Sequence, residues 1–404
     1  MEYHTVNTFT KMLATSAFAL TAMSGMAQAN DDDNRAYEAE LLADASNRIS
    51  LLGEDDTTLD IGGTIQFRYM WNNADNGGTT DDTIGFDFGE TSLNFGGEVD
   101  RFEYYLEVDF MNYNSKNGQV RLDEAWIQTD FFNEGLTVRA GQFRTPFSRE
   151  MQVEEEFQLF ADRSFVDTIF GAQNTQGVML TWEGNRARFF ASFNDGARTQ
   201  NTNFNSAAEA DFGVTGRAEL LLAGESWGQF DDFTSERGDG FGLLAGAAVH
   251  YQQGGDTGAM TVSGTTPDVE VFSYTGDISF ENNGWNGFAA FHGRTMDMTT
   301  GSFDDYGLVA QTGFRIFENG EIFGGYEGVF ADSNRGLADD NMNFAKAGYT
   351  HYLAGHAVKF TTDVFYSIDD STGMNALGSF GNQGLLGGTG EGEFGVRGQI
   401  QLVF

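Results

Sequence analysis

Residues 392–404 read Gly-Glu-Phe-Gly-Val-Arg-Gly-Gln-Ile-Gln-Leu-Val-Phe. Phe394, Val396, Gly398, Ile400, Leu402 and Phe404 share one parity, and Glu393, Arg397, Gln399 and Gln401 share the other. Successive side chains of an extended chain point to opposite faces. One face of this strand is therefore apolar and the other polar, as for a strand lying between oil and water. The pattern recurs upstream. Ile61, Ile65, Phe67, Tyr69 and Trp71 oppose Thr64, Gln66, Arg68 and Met70. Tyr104, Leu106, Val108 and Phe110 oppose Glu103, Tyr105, Glu107 and Asp109. Ala187, Phe189, Ala191 and Phe193 oppose Arg186, Arg188, Ser192 and Asn194.

Sixteen such segments are expected, at about 60–71, 85–99, 102–110, 120–131, 136–143, 176–182, 186–194, 212–222, 241–252, 269–280, 285–295, 305–317, 321–330, 344–353, 356–366 and 392–404. A bulge is expected in 85–99, and 120–131 is ambiguous in phase. Connections after odd strands are long: 72–84, 111–119, 144–175, 195–211, 253–268, 296–304, 331–343 and 367–391. Those after even strands are short, except 223–240. Long and short connections alternating between an even number of strands mark an outer-membrane barrel. Backbone groups in lipid must pair with one another, so the sheet has to close. The expected fold is thus all-β, a 16-stranded antiparallel transmembrane β-barrel. Pro146 and Pro267 fall in connections, where no ladder bond is lost. Trp71, Trp182 and Trp285 fall at expected strand ends, where aromatic girdles form. A secreted β-sandwich or adhesin would also alternate, but has no need of the rhythm of connections. The terminal Phe404 resembles the carboxy-terminal signal read by outer-membrane assembly machinery.

The remaining composition narrows the class. The chain has 404 residues, 53 Gly, 39 Phe, two Pro, no Cys, and 60 acidic against 22 basic residues, for a net charge of −38. Without Cys there is no disulfide scaffold, thiol catalysis or Cys-based zinc site. An acidic chain without a Lys/Arg cluster does not attract nucleic acid. Residues 1–29 read as a signal peptide, with Lys11, the apolar run Met12–Met23 and the Ala27-Gln28-Ala29 cleavage motif. Residues 30–58 form an acidic segment, helical over 31–52, where Leu42, Ala45, Ile49 and Leu52 make an apolar stripe. The barrel occupies 59–404.

Two motifs imitate enzymes. Gly224-Glu225-Ser226-Trp227-Gly228 matches G-x-S-x-G, but no helical pattern follows it to make a nucleophile elbow. Gly390, Gly392 and Gly395 match G-x-G-x-x-G but lead into a strand instead of a helix. The histidines and acidic runs lack ordered ligand spacing, so no catalytic residue, metal or cofactor is expected. A barrel esterase using Ser226 is the enzymatic alternative. If the apolar faces meet lipid, the polar faces line a lumen, and sixteen strands leave room for water. By parity Arg68, Arg139, Arg188, Arg217, Arg294, Arg315, Lys359, Arg397, Glu107 and Asp109 point inward. The connection 144–175 is too apolar for a free loop, with Phe147, Phe157, Leu159, Phe160, Phe165 and Phe170. It is expected to fold into the barrel and narrow it, bringing Arg144, Arg149, Glu154, Glu155, Glu156 and Arg163 into the passage.

Gly141-Gln142-Phe143-Arg144-Thr145-Pro146-Phe147-Ser148-Arg149-Glu150, with the aromatic run that ends near Arg163-Ser164, resembles the phosphate-selective porin O and P family. Tyr352-Leu353-Ala354-Gly355-His356-Ala357-Val358-Lys359, followed by Asp363, is similar to that family's penultimate hairpin. The resemblance covers most of 60–404. It implies a homotrimer of sixteen-stranded barrels in the outer membrane of a Gram-negative-type bacterium, each passing small hydrophilic or ionic solutes through its own pore. Family members that select phosphate carry an arginine ladder and clustered lysines. Here only Lys116, Lys346 and Lys359 follow the signal peptide, and Gly325 stands where the resemblance implies an arginine.

Overall fold

The computed structural model describes residues 51–52, 57–75, 80–110, 120–131, 135–204, 206, 209–254, 269–298, 301–388 and 390–404. Sixteen strands follow one another: β1 (Thr58–Asp75), β2 (Thr80–Val99), β3 (Phe102–Asp109), β4 (Arg121–Asp130), β5 (Leu136–Arg144), β6 (Asn174–Glu183), β7 (Ala187–Asn194) and β8 (Phe212–Ala223) make one half. The other half is β9 (Gly242–Gln253), β10 (Glu270–Asn282), β11 (Trp285–Met298), β12 (Gly301–Phe317), β13 (Gly320–Phe330), β14 (Asn341–Ala354), β15 (Val358–Ser367) and β16 (Phe394–Val403). Each pairs antiparallel with its neighbours in the chain, and β16 returns to β1 with Val403 opposite Thr64 and Phe394 opposite Asn73. Gly63 and Phe404 exchange both backbone hydrogen bonds, at 2.8 and 3.0 Å. The barrel is closed, so every strand has a partner on both sides.

All sixteen expected segments are strands. Two of the expected long connections are largely strand as well. In 72–84 the ladder runs on until Asp75 faces Thr80, and in 296–304 until Met298 faces Gly301. Asn and Asp are poor strand formers, but extending an existing ladder satisfies their backbone groups at little cost. Trp182 and Trp285 sit at strand ends and are exposed, whereas Trp71 lies inside the longer β1. The bulge in β2 is at Gly89–Glu90, where Ile65 pairs with Thr91 and Phe67 with Phe88. A second bulge explains the ambiguous phase of β4: Glu107 faces Glu124 but Val108 faces Leu122, so Asp123 is the extra residue.

The signal peptide 1–29 and the helix over 31–50 lie outside the described residues. Leu51–Leu52, the expected end of that helix, are extended and pair with Leu59 and Thr58. The start of β1 offers them a backbone ladder, and β1 itself begins at Thr58, two residues before the expected strand start.

Outward faces are apolar and exposed, as with Phe67, Phe193 and Ile400, while Arg68, Arg217 and Arg397 face inward and are buried. Those arginines are covered because chain folds into the lumen. Among the described residues, 145–173 and 368–388 from the end with long connections do so, as does 223–240 from the end with tight turns, and Arg198 and Arg335 of two further connections also turn inward. The main apolar core lies inside the barrel, where Leu159, Phe160, Phe165, Val166, Ile169 and Phe170 pack against Phe288, Val309, Phe323, Phe344 and Phe365 of the wall.

Candidate functional site

The segment between β5 and β6 carries two short helices, α1 (Arg149–Gln152) and α2 (Phe165–Phe170). Each is started by a serine: Ser148 Oγ accepts from the Met151 amide and Ser164 Oγ from the Asp167 amide. Glu150 ties the two turns together, accepting from the Ser164 amide at 2.9 Å and its hydroxyl at 2.7 Å. Burial, with Asp167 nearby, pushes the Glu150 carboxyl up to about 8. The apolar side of α2 sets Phe165 edge-on to Phe344, Phe365 and Phe380, with centroids 5.0, 5.5 and 5.7 Å away.

Inward charges of the wall seize the backbone of this loop. Arg68 donates to the Ala161 carbonyl at 2.7 Å and pairs with Asp162. Arg397 holds Asp363 at 2.7 and 2.8 Å, and Asp363 accepts from the Ala161 amide at 2.9 Å. Glu327 takes the Phe165 amide and the Lys346 ammonium, both at 2.7 Å. Arg217 bridges the Phe147 carbonyl, Asp277 and Glu219. Arg294 donates to the Ile169 carbonyl at 2.9 Å and pairs with Asp305. Lys359 donates to the Glu156 and Gln158 carbonyls at 2.6 and 3.3 Å. These orphan loop carbonyls and amides would otherwise be buried unpaired.

Among the described residues, a cavity of about 580 Å³ lies between the loop, β2–β5, the end of β11 and residues 375–383. Of the inward residues expected from parity, Glu107, Asp109 and Arg294 border it, and of the loop residues Arg144, Glu155 and Arg163 do. Arg144 is the hub: its Nε lies 2.9 Å from Glu124 Oε1, Nη2 lies 3.9 Å from Glu107 Oε2, and Nη1 meets Glu154. Oxygens of Glu107, Asp123 and Glu124 come within 4.8 Å of one another, close enough for a shared cation, and Arg144 supplies the charge there. Arg163 pairs with Glu155 at 2.6 Å and donates to the carbonyls of Glu150 and Val153. Burial and neighbouring Glu154 push the Glu156 carboxyl up to about 7.

The other expected residues lie elsewhere on the inner face. Arg139 stacks 3.8 Å over Trp126, which stacks on Tyr105; those two aromatics donate to Glu124 and Glu107. Arg188 pairs with Glu219 and lies over Trp227. Arg315 sits 3.7 Å over the Tyr352 ring, 3.8 Å from Glu321. Arg149 is buried against the Phe230 carbonyl and the Phe233 ring. Residues that sequence reasoning missed include Glu90 and Asp123, both at bulges where parity is lost. Arg198 and Arg335 also border the cavity, on connections whose inward course no periodicity reveals. Burial and nearby Arg294 lower the Arg198 guanidinium to about 10.

The glycine at 325 has a structural reason. A Cβ there would stand 3.1 Å from the Phe160 ring and from the Ala310 carbonyl oxygen. The space an arginine stem would need is taken by the loop's aromatic ring, which lies 4.7 Å from Phe323.

Comparison with known proteins follows this geometry. A family model described as phosphate-selective porin O and P matches residues 61–350. No curated protein matches the sequence. Among solved structures, an anion-selective porin from Comamonas acidovorans is similar with a TM-score of 0.63 at 14% identity, over 86% of this chain and 100% of that one. The outer membrane channel DcaP of Acinetobacter baumannii is similar with a TM-score of 0.59 at 14% identity, over 88% and 99%. Salmonella typhi OmpF, solved with daunomycin, has a TM-score of 0.57 at 15% identity, over 88% and 100%.

Proposed function

This chain belongs to the phosphate-selective porin O and P family, and from that premise we propose a mixed-charge outer-membrane porin without phosphate selectivity. As an outer-membrane channel it passes small hydrophilic or ionic solutes by diffusion. The observation that carries the selectivity reading is the state of the inward cations. Arg68, Arg188, Arg217, Arg294, Arg315, Arg397 and Lys346 each lie within 4 Å of a carboxylate. A guanidinium already neutralised and fixed in place is a poor dock for a second anion. Across the cavity, Glu90, Glu107, Asp109 and Asp123 of β2–β4 lie seven or eight strand positions, about half of sixteen, from Arg294 of β11. The cavity is therefore lined by carboxylates and by guanidinium groups already paired, and the net charge of −38 leans the balance toward cations at low salt.

Planar-bilayer recording tests this. Stepwise conductance with a cation-side reversal potential in a KCl gradient is expected, and millimolar phosphate should leave the chloride current unblocked. Phosphate block, or an anion-side potential, would overturn the selectivity reading.

The subunit is proposed to act as a homotrimer, with outer-membrane lipid around it. Support comes from the family resemblance and from the tall β1–β2 hairpin, whose Ile84 and Phe86 are 66% and 70% exposed beside the much shorter β3. An unheated sample should migrate at three subunit masses on a denaturing gel. No catalytic role is assigned. Ser226 is exposed and precedes a single 3-10 turn, Trp227–Phe230, which is not the strand-to-helix elbow a nucleophile needs. Ester hydrolysis that vanished in Ser226→Ala would restore the enzyme reading.

A further inference from the structure

The one long connection among the tight turns is 223–240, between β8 and β9 at the periplasmic end. It does not hang below the barrel. Trp227 Nε1 donates to the Gly184 carbonyl in the β6–β7 turn at 2.9 Å. Phe230 and Phe233 then turn inward and are 1% and 4% exposed. Phe233 packs 4.8 Å from Phe288, and its amide donates to the Phe157 carbonyl of the constriction loop at 3.2 Å. Asp232 and Thr234 reach His356 in the β14–β15 turn, at 3.7 and 3.2 Å. The chain returns past the β12–β13 end, where Arg237 donates to the Arg315 and Ile316 carbonyls, both at 2.9 Å. It finishes at the β10–β11 turn, with the Gly238 amide on Asn283 Oδ1 at 2.8 Å and the Asn283 amide on the Asp239 carbonyl.

From its anchor between β8 and β9 to His356, this strap spans six of the sixteen strand positions around the wall. A chain that makes that crossing inside a barrel lies across the lumen, not along its rim. It also carries Glu225, Asp231, Asp232, Glu236 and Asp239 against the single cation Arg237. The other connections at this end are tight turns, so the added length has a local consequence. We propose that residues 223–240 form a second narrowing at the periplasmic mouth, in series with the constriction loop, whose carboxylates favour cations on that side. The proposal rests on the channel reading and adds to it a specificity-determining element that faces the periplasm.

Two variants test it in planar bilayers. In the first, residues 225–239 are replaced by Asn-Gly, restoring a tight turn. Two comparable narrowings in series each carry half the resistance, so conductance should rise about twofold. In the second, Asp231→Asn, Asp232→Asn, Glu236→Gln and Asp239→Asn are combined. The reversal potential should move toward anions when the dilute salt is on the periplasmic side, and much less in the opposite gradient, because salt screens charge beyond about 10 Å at 0.1 M. A strapless channel that keeps its heat-modifiable gel shift and conducts like the full chain would overturn the narrowing. An unchanged potential in the quadruple variant, in both gradients, would overturn the charge selection, and this variant decides alone if the strapless one does not fold. Absence of any stepwise current from the unaltered chain would instead refute the channel reading itself.

Discussion

Replacing Phe165 by Ala tests whether the loop in the lumen is held by its own small core. Phe165 is fully buried, caught between three aromatic rings, with the Lys346 ammonium 4.8 Å from its centroid. Truncating a buried Phe to Ala costs about 3–5 kcal/mol, from lost transfer energy and the cavity left behind. The barrel wall should not feel most of that loss, because its strands are held by a closed hydrogen-bond ladder outside this cluster. The cost falls on the docked state of residues 145–173. At ~1.4 kcal/mol per factor of ten, docking weakens by about two to three and a half decades. Single-channel recording would see this as brief high-conductance excursions and a raised mean current. The control is Phe193→Ala: Phe193 faces outward and is 64% exposed, so its loss should leave the current alone. If Phe165→Ala folds, as its gel shift would show, and records with wild-type conductance and noise, the loop is not docked by this cluster or does not limit flow.

Other perturbations act on charge and shape. Glu107→Gln with Glu124→Gln leaves Arg144 with fewer partners in the cavity, and the reversal potential should move toward anions. Gly325→Arg should raise conductance without creating phosphate block, because the new side chain displaces the Phe160 ring and loosens the loop. The Glu150 carboxyl is raised to about 8, so the docked loop binds its proton more tightly than a free loop would. That contribution to docking is complete below the ordinary carboxyl pKa of about 4.3 and is lost as pH climbs through 8, so current noise should grow from pH 5 to pH 8. Glu150→Gln should flatten the trend. Unchanged noise across that range would show that Glu150 does not couple to loop position.

The wall was legible because its physics is local. A strand between lipid and water announces itself every second residue, and each inward charge expected from parity, from Arg68 to Arg397, belongs to such a run. The lumen was only partly legible. The apolar content of 144–175 pointed to an in-folded loop, since six large apolar residues cannot sit in water without cost. The receiving surface was also written in the sequence, though less plainly. Phe323 and Val329 in β13 face inward alongside Glu321 and Glu327, while Ile322 faces out, so the inner face of that strand carries large apolar side chains among its charges. Large apolar side chains on an inner face need a partner inside the barrel. Bulges hid Glu90 and Asp123, because an extra residue reverses the parity on which the reading depends. Nothing periodic could reveal that Arg198, Arg335 or the segment 368–388 would turn inward.

The inward charges carry a further consequence for selectivity. Parity assigns a side chain to the lumen, but it does not say whether solute or protein will meet it there. Arg68 and Arg397 each spend hydrogen bonds on loop or outer-connection carbonyls, and each also holds a carboxylate. Their charge is used to lock the constriction. An arginine ladder needs the opposite economy, with guanidinium groups presented to the passage and their counter-charges withheld. In a chain with a net charge of −38, carboxylates outnumber the available cations and claim them first. The chain's net acidity and the pairing that silences these wall arginines are thus two results of one composition. Restoring phosphate selectivity would require removing the partner carboxylates, such as Asp162 and Asp363, before any arginine is added. But Asp363 also holds the Ala161 amide, so the same change that freed Arg397 would loosen the loop beside it.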